Sequence, residues 1–352
     1  MIDTLLFSLD GREGLANKIV KYVQNLPIPT EFVKNGGFEV GLLRNQKFSD
    51  GELCVDFNDS VRGKRVYILS SPNTSDEIMK LNLAIDAAKR GAATEIIAIL
   101  PYFPYARQDK KDQSRGPIGA KVIAEMLEQR GATSVITYDL HADQIQGFFN
   151  IPLTHIEGKH VFDDYIASIS NENTILCGPD AGSGKRVKRM QTQLSKHHKL
   201  TLNYVMMDKT RKAANTIDEM VIIGDVKGKE VIILDDMIDT AGTLCKAAEV
   251  LINAGAKSVR AVISHGVLSG PAVERIGQSK LTELIISDSL EKPNASKLCH
   301  KDYSEEKCHH IMDGDKKIKV ISVAEQIGFA IVSINNQASY EALTAAYEVI
   351  NG

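Results

Sequence analysis

Residues 231–243 read Val-Ile-Ile-Leu-Asp-Asp-Met-Ile-Asp-Thr-Ala-Gly-Thr, and their order decides the fold. Four apolar residues, three of them β-branched, spell a buried parallel strand. Asp235 and Asp236 close that strand at its C-terminal end, the edge at which open α/β sheets bind ligands. Asp239, Thr240, Ala241, Gly242 and Thr243 then make a hydroxyl- and glycine-bearing loop that opens a helix over 244–251. A helix N-terminus offers free N–H groups and a partial positive charge, which suits a phosphate. Carboxylates beside a phosphate repel it unless they face sugar hydroxyls or a cation. The stretch therefore points to a phosphorylated sugar with a metal nearby. Asp and Thr also cap helices with no ligand present, but so many acids and hydroxyls around one glycine turn outweigh that reading.

Working outward, the chain repeats itself. Residues 63–69 (Gly-Lys-Arg-Val-Tyr-Ile-Leu) echo residues 228–234 (Gly-Lys-Glu-Val-Ile-Ile-Leu). Each is followed by a loop, a helical stretch, a Gly-Ala pair (Gly91-Ala92 and Gly255-Ala256) and an apolar strand. The Gly-Ala pairs read as helix C-caps turning into strands. A βαβ unit present twice predicts two similar α/β domains, each a mainly parallel sheet flanked by helices. The boundary falls after Ile156, giving domains over 1–156 and 157–333, with 334–352 completing the first. Only the second copy keeps the acidic loop; the first has Ser70-Ser71 and then Pro72-Asn73-Thr74. The two domains are thus expected to divide the labour.

Bulk properties are those of an ordinary soluble protein. The 352 residues are 43% hydrophobic and 25% charged, enough for one or two well-formed domains. A net charge of −3 gives no electrostatic reason for a nucleic-acid or anionic-membrane partner. No apolar run has the length of a membrane span, and the N-terminal stretch lacks the positive start of a signal peptide. Five scattered cysteines fit a reducing compartment, so a cytoplasmic location is expected.

Three further segments carry chemistry. Residues 102–117 follow a strand and hold four cationic side chains, with Arg107-Gln108 beside aromatics, which suits a loop that meets phosphates. Asp139-Leu140-His141 ends another strand, where imidazole is a less usual partner for Mg²⁺ than oxygen. Gly178-Pro179-Asp180-Ala181-Gly182-Ser183-Gly184-Lys185-Arg186 is a glycine-rich turn into a basic helix start, a second anion cradle whose glycine spacing is not that of a Walker loop. Two cradles and an acidic sugar loop suggest that a phosphosugar meets a diphosphate.

With these residues in hand the chain resembles the ribose-phosphate pyrophosphokinase family. The matching stretches are Phe48-Ser49-Asp50-Gly51-Glu52, 104–109, 139–149, 178–182, the 231–243 loop and Ser269 to Ile276, in order over about residues 45–290. The resemblance implies two phosphoribosyltransferase-like domains and transfer of the diphosphate of ATP to the anomeric hydroxyl of ribose 5-phosphate, with Mg²⁺. It implies that Asp235 and Asp236 meet the ribose, and that Asp239, Thr240, Ala241, Gly242 and Thr243 meet its 5-phosphate. Asp180, Ala181, Gly182, Ser183 and Gly184 are placed on the diphosphate, and Arg107 and Gln108 on ATP. His141 and Asp180 match metal ligands, while Phe48, Asp50 and Glu52 match residues that hold adenine from a neighbouring subunit. Lys209 and Arg211 match a catalytic basic pair on a mobile loop. The shared adenine site implies a homo-oligomer of at least two copies, and the resemblance favours a hexamer.

Departures from the family pattern are as informative. Ser183 stands where a second glycine is usual, which is expected to tighten the diphosphate loop. Asp143 replaces an uncharged residue, and Gln337-Ala338-Ser339-Tyr340 replaces a serine-rich C-terminal segment; both changes are expected to disfavour an anion at the family's regulatory site. Cys299-His300 and Cys308-His309-His310 group five soft ligands, yet their spacing fits no standard zinc pattern, and the intervening Lys-Asp-Tyr-Ser-Glu-Glu-Lys (301–307) reads as a hairpin tip or exposed loop.

Overall fold

The computed structural model describes residues 3–26, 38–210, 219–290, 308–311, 318–340 and 342–343, with backbone alone at 209–210, 219 and 308–311. It divides into two units, Met1–Glu157 with Val323–Gly352, and Gly158–Ser322.

In the first unit, β1 (Thr4–Ser8), α1 (Glu13–Asn25) and β2 (Glu39–Val40) are followed by an antiparallel hairpin, β3 (Leu43–Lys47) and β4 (Leu53–Phe57). Then come β5 (Arg65–Leu69), α2 (Ser75–Arg90), β6 (Glu95–Leu100), α3 (Gly119–Arg130), β7 (Ser134–Tyr138) and β8 (Leu153–Ile156). Six strands form one parallel sheet in the order β2-β1-β5-β6-β7-β8. Every residue of β1 and β5 is buried, as near-continuous apolar runs require when helices cover both faces of a sheet.

In the second unit, α4 (Lys159–Ile169) leads to β9 (Thr174–Gly178), α5 (Gly184–His198), β10 (Asn203–Thr210) and β11 (Glu219–Ile223). After these follow β12 (Glu230–Ile238), α6 (Gly242–Asn253), β13 (Ser258–Gly266), α7 (Ala272–Gln278), β14 (Glu283–Ser287), β15 (Cys308–Ile311) and β16 (Ile318–Ile321). The eight strands run β11-β10-β9-β12-β13-β14-β16-β15, parallel except for the antiparallel edge strands β11 and β15. The chain then enters α8 (Ala324–Asn335).

That last helix belongs to the first unit, whose C-terminal part begins at Val323 rather than at 334. Its position follows from packing on α1: the rings of Tyr22 and Phe329 meet edge-on at 5.6 Å, and the Tyr22 hydroxyl donates to Glu325 at 3.2 Å. The two Gly-Ala passages also differ. Gly255 takes the left-handed conformation (φ 95°), as the C-cap reading requires, whereas Gly91 does not and Ala92 does (φ 62°). Gly91 is nonetheless the C-cap of α2, and it also answers to space, because a Cβ there would sit 2.4 Å from Val61 Cγ2. Among the described residues no helix is long and apolar enough to cross a membrane.

Candidate active site

Strand β12 carries the acidic pair within its length rather than after its end: Asp235 lies opposite Ile263 of β13, and the ladder continues to Ile238 opposite Gly266. Successive strand residues face opposite sides, so Asp236 is buried while Asp235 is partly exposed. The Asp236 N–H donates to Asp235 Oδ1 at 2.9 Å. Burial, and then the adjacent Asp236 carboxylate, push the Asp235 carboxyl well above the usual range, with Arg186 of α5 pulling in the opposite direction.

Beyond the strand the chain turns through Asp239–Thr243 into α6. Ala241 at the N-cap is left-handed (φ 62°) and supplies no capping side chain, so the helix start keeps donor N–H groups that an anion can use. The turn is pinned from the segment after β13. Leu268 N–H donates to Ile238 O at 3.1 Å and Ser269 N–H to Asp239 O at 3.1 Å. The Ser269 hydroxyl also donates to the Asp239 carboxylate, and Arg275 Nη1 donates to Thr240 O at 3.0 Å.

The second cradle emerges on the neighbouring strand, since Cys177 of β9 pairs with Ile233 of β12. Asp180 Oδ1 accepts the Ser183 N–H at 2.9 Å, and the Ser183 hydroxyl donates back to Asp180 O at 2.6 Å. Ser183 is buried, and the turn Ala181–Ser183 runs straight into α5 at Gly184. Gly178 is obligatory for this closure, because a Cβ there would lie 2.5 Å from Ser183 Oγ. The acidic strand, the Asp239–Thr243 turn and the Asp180–Gly184 turn therefore share one edge of one sheet.

The first unit holds the other candidates. Asp139 is left-handed (φ 42°) and buried, Leu140 N–H donates to His155 Nε2 at 3.0 Å, and His141 stands exposed just beyond. Arg107 and Gln108 are both exposed after a left-handed Tyr105 (φ 57°). Gly119 leaves room there: a Cβ would meet Gln108 Oε1 at 2.5 Å. Phe48, Asp50 and Glu52 occupy the tip of the β3–β4 hairpin, where Phe48 N–H donates to Glu52 O at 2.8 Å and the phenyl ring is 46% exposed.

Residues 4–131 match the N-terminal domain of ribose phosphate pyrophosphokinase, and residues 141–294 match the phosphoribosyl transferase domain. The ribose-phosphate pyrophosphokinase of Porphyromonas gingivalis is 42% identical over 313 residues, 88% of this chain and 91% of that one. The chain belongs to the ribose-phosphate pyrophosphokinase family. A second ribose-phosphate pyrophosphokinase, from Oceanobacillus iheyensis, is 40% identical over 96% of each chain. The crystal structure of phosphoribosylpyrophosphate synthetase from Mycobacterium smegmatis matches with a TM-score of 0.79 at 31% identity, covering 96% of this chain and 100% of that one.

Against other expectations for a ribose-phosphate pyrophosphokinase the structure speaks unevenly. Lys209 is on a strand, opposite Met220 in the β10–β11 ladder, rather than in a loop; the antiparallel pairing of Met206 to Thr210 fixes its backbone. Arg211 lies outside the described residues. So do Cys299, His300 and the intervening residues 301–307, while Cys308, His309 and His310 are backbone positions on β15, paired with β16. Arg186, Ser269 and Arg275 emerge as residues that set the site. Their signal in the sequence was the matching 269–276 stretch and the basic start of α5, neither of which names a contact.

Proposed function

We propose that this chain is a ribose-phosphate diphosphokinase: the C1 hydroxyl of ribose 5-phosphate attacks the β-phosphorus of ATP, forming the O1–Pβ bond, breaking the bond to the α-phosphate oxygen, and yielding phosphoribosyl pyrophosphate and AMP. The observation that carries this reading is the common sheet edge on which the carboxylate pair, the Asp239–Thr243 turn and the Asp180–Gly184 turn lie side by side. A phosphosugar and a diphosphate need these adjacent. Asp235 and Asp236 take the ribose hydroxyls, residues 239–243 the 5-phosphate, and residues 180–184 the diphosphate.

In the first unit, Arg107 and Gln108 take ATP, and the exposed tip bearing Phe48, Asp50 and Glu52 serves adenine in a neighbouring copy, which makes the protein a homo-oligomer, most simply a hexamer. His141 and Asp180, which stand at the positions matching the family's metal ligands, would hold Mg²⁺ although imidazole is a less usual partner for it than oxygen, and the adjacent carboxylates Asp235 and Asp236, whose repulsion raises the first of them, would be stabilised by a cation. When bound, Mg²⁺ neutralises charge on the transferred diphosphate. Lys209 and Arg211 stabilise charge developing on the non-bridging and leaving oxygens, a contribution of roughly 10²–10³-fold in rate for one preorganised donor. Single-domain phosphoribosyltransferase activity fits less well, since it needs neither the Arg107-Gln108 loop nor a second domain. The work is done in the cytoplasm, for nucleotide biosynthesis.

The deciding experiment is an assay with ATP, Mg²⁺ and ribose 5-phosphate, detecting AMP and phosphoribosyl pyrophosphate together. Lys209→Ala is expected to lower kcat by roughly 10²–10³-fold with little change in ATP affinity. AMP formation that does not need ribose 5-phosphate would overturn the reading.

A further inference from the structure

Helices α4 and α5 bring together a group of side chains that the diphosphate reaction does not use. Asp163 and Asp164 lie on α4, and His198 ends α5, where Lys199 stops the helix in a left-handed conformation (φ 54°). His198 Nε2 is 3.5 Å from Asp164 Oδ1 and 3.8 Å from Asp163 Oδ2, and the three ligand atoms all lie within 4.8 Å of one another. That ring nitrogen is buried and makes no hydrogen bond.

Asp163 is held ready. Its side chain is 11% exposed, its Oδ2 accepts the Gln193 amide at 2.7 Å, and its Oδ1 accepts the Asp164 N–H at 3.0 Å. Both donors are neutral, so they orient the carboxylate without cancelling its charge. Burial accordingly raises this carboxyl above its ordinary range. An oriented carboxylate with an amide behind it is the arrangement that positions metal ligands elsewhere.

We propose that Asp163, Asp164 and His198 bind one divalent transition-metal ion of the zinc type, separate from the Mg²⁺ of the reaction, and clamp α4 to α5. The chemistry favours this class: one imidazole with two carboxylates suits zinc-like ions, whereas Mg²⁺ prefers oxygen alone. Bonds of about 2.0–2.2 Å place tetrahedral ligands ~3.3–3.6 Å apart. The observed 3.5 and 3.8 Å to His198, with all three atoms within 4.8 Å, need a closure of at most about an ångström, within reach of the exposed Asp164 side chain. Water fills the remaining coordination position. Because α5 begins at the diphosphate turn, the clamp fixes the far end of the helix that presents that turn.

The test uses the full-length protein prepared without a histidine tag, stripped with a chelator, then dialysed against Zn²⁺ in a large excess of Mg²⁺. Metal content and thermal melting are measured for wild type, His198→Gln and Asp164→Asn; Asp164 is exposed, so its variant keeps the fold. Wild type is expected to hold one more Zn²⁺ per chain than either variant and to melt higher with Zn²⁺. Each variant is expected to bind at least about tenfold more weakly, with Mg²⁺-dependent activity of Asp164→Asn unchanged. Equal Zn²⁺ content in all three proteins, which would come from a site elsewhere, overturns the proposal. So does a wild type that retains none.

Discussion

The Asp236 N–H donates to Asp235 Oδ1 at 2.9 Å, so the two neighbouring acids of β12 are locked together on a single strand. Ligand-free, this pair is an electrostatic liability. Burial and the Asp236 charge push the Asp235 carboxyl up to about 8, far above its value in an unfolded chain. Between the ordinary carboxylate range and that value the folded state binds more protons than the unfolded state, so stability falls as pH rises through the window.

Melting of the ligand-free protein is therefore expected to occur at lower temperature at about pH 8 than at about pH 5.5. Asp235→Asn removes that part of the slope and melts higher than wild type at the alkaline end, by about 2–4 °C for each kcal/mol relieved. The same variant is expected to lose activity, because the ribose and cation contacts proposed above both use the charge. A variant that melts lower than wild type at both pH values would contradict the account.

Arg275 reaches back to Thr240 O at 3.0 Å from a helix of seven residues, α7, and so fixes the phosphate turn without facing the phosphate through that bond. Arg275→Ala is expected to raise KM for ribose 5-phosphate by roughly 10-fold or more, as the loss of one charge-assisted hydrogen bond predicts. KM for ATP should change far less. Equal effects on both substrates in steady-state kinetics would show that the residue acts globally.

Ser183 closes the Asp180–Gly184 turn: its N–H donates to Asp180 Oδ1, and its hydroxyl both donates to Asp180 O and accepts the Asp180 N–H at 3.4 Å. Removing only the hydroxyl isolates its share. Ser183→Ala is expected to cost about 1 kcal/mol of stability and to weaken ATP turnover more than ribose 5-phosphate binding. Ser183→Gly adds backbone freedom to the same loss and should be the more impaired of the two in thermal melting.

How far the chain could be read in advance depends on the range of each interaction. The two-domain α/β architecture was readable because it rests on local periodicity: Val231 to Leu234 and its echo at Val66 to Leu69 are apolar runs whose burial follows from their own composition. The cradles were readable because their glycines and hydroxyls are adjacent in sequence. What could not be read was set by distant partners. Ser269 and Arg275 contact a turn 30 and 35 residues away, and no composition rule ties them to it. The length of β12 past Asp235 depends on the β13 ladder, and the early entry into α8 depends on Tyr22, some 300 residues upstream. Gly91 is the C-cap of α2, as its place in the sequence indicates, but the left-handed step falls on Ala92 and the close approach of Val61 to Gly91 comes from a residue 30 positions upstream.

Regulation offers the last test. Asp143 opens the turn Asp143–Phe148 in the first unit, placing a carboxylate where an uncharged residue is usual for the family. In the C-terminal segment Gln337 is left-handed (φ 52°), and Ser339 Oγ accepts the Ala342 N–H at 3.0 Å, which turns that hydroxyl to a local capping role. The Asp143 carboxylate repels an anion near its own turn, and the Ser339 hydroxyl oxygen is engaged locally. Activity in a desalted preparation is therefore expected to rise less than about twofold when inorganic phosphate is added, and Asp143→Ser should increase that response. Strong activation of the wild type by phosphate would mean that donors elsewhere outweigh the Asp143 charge.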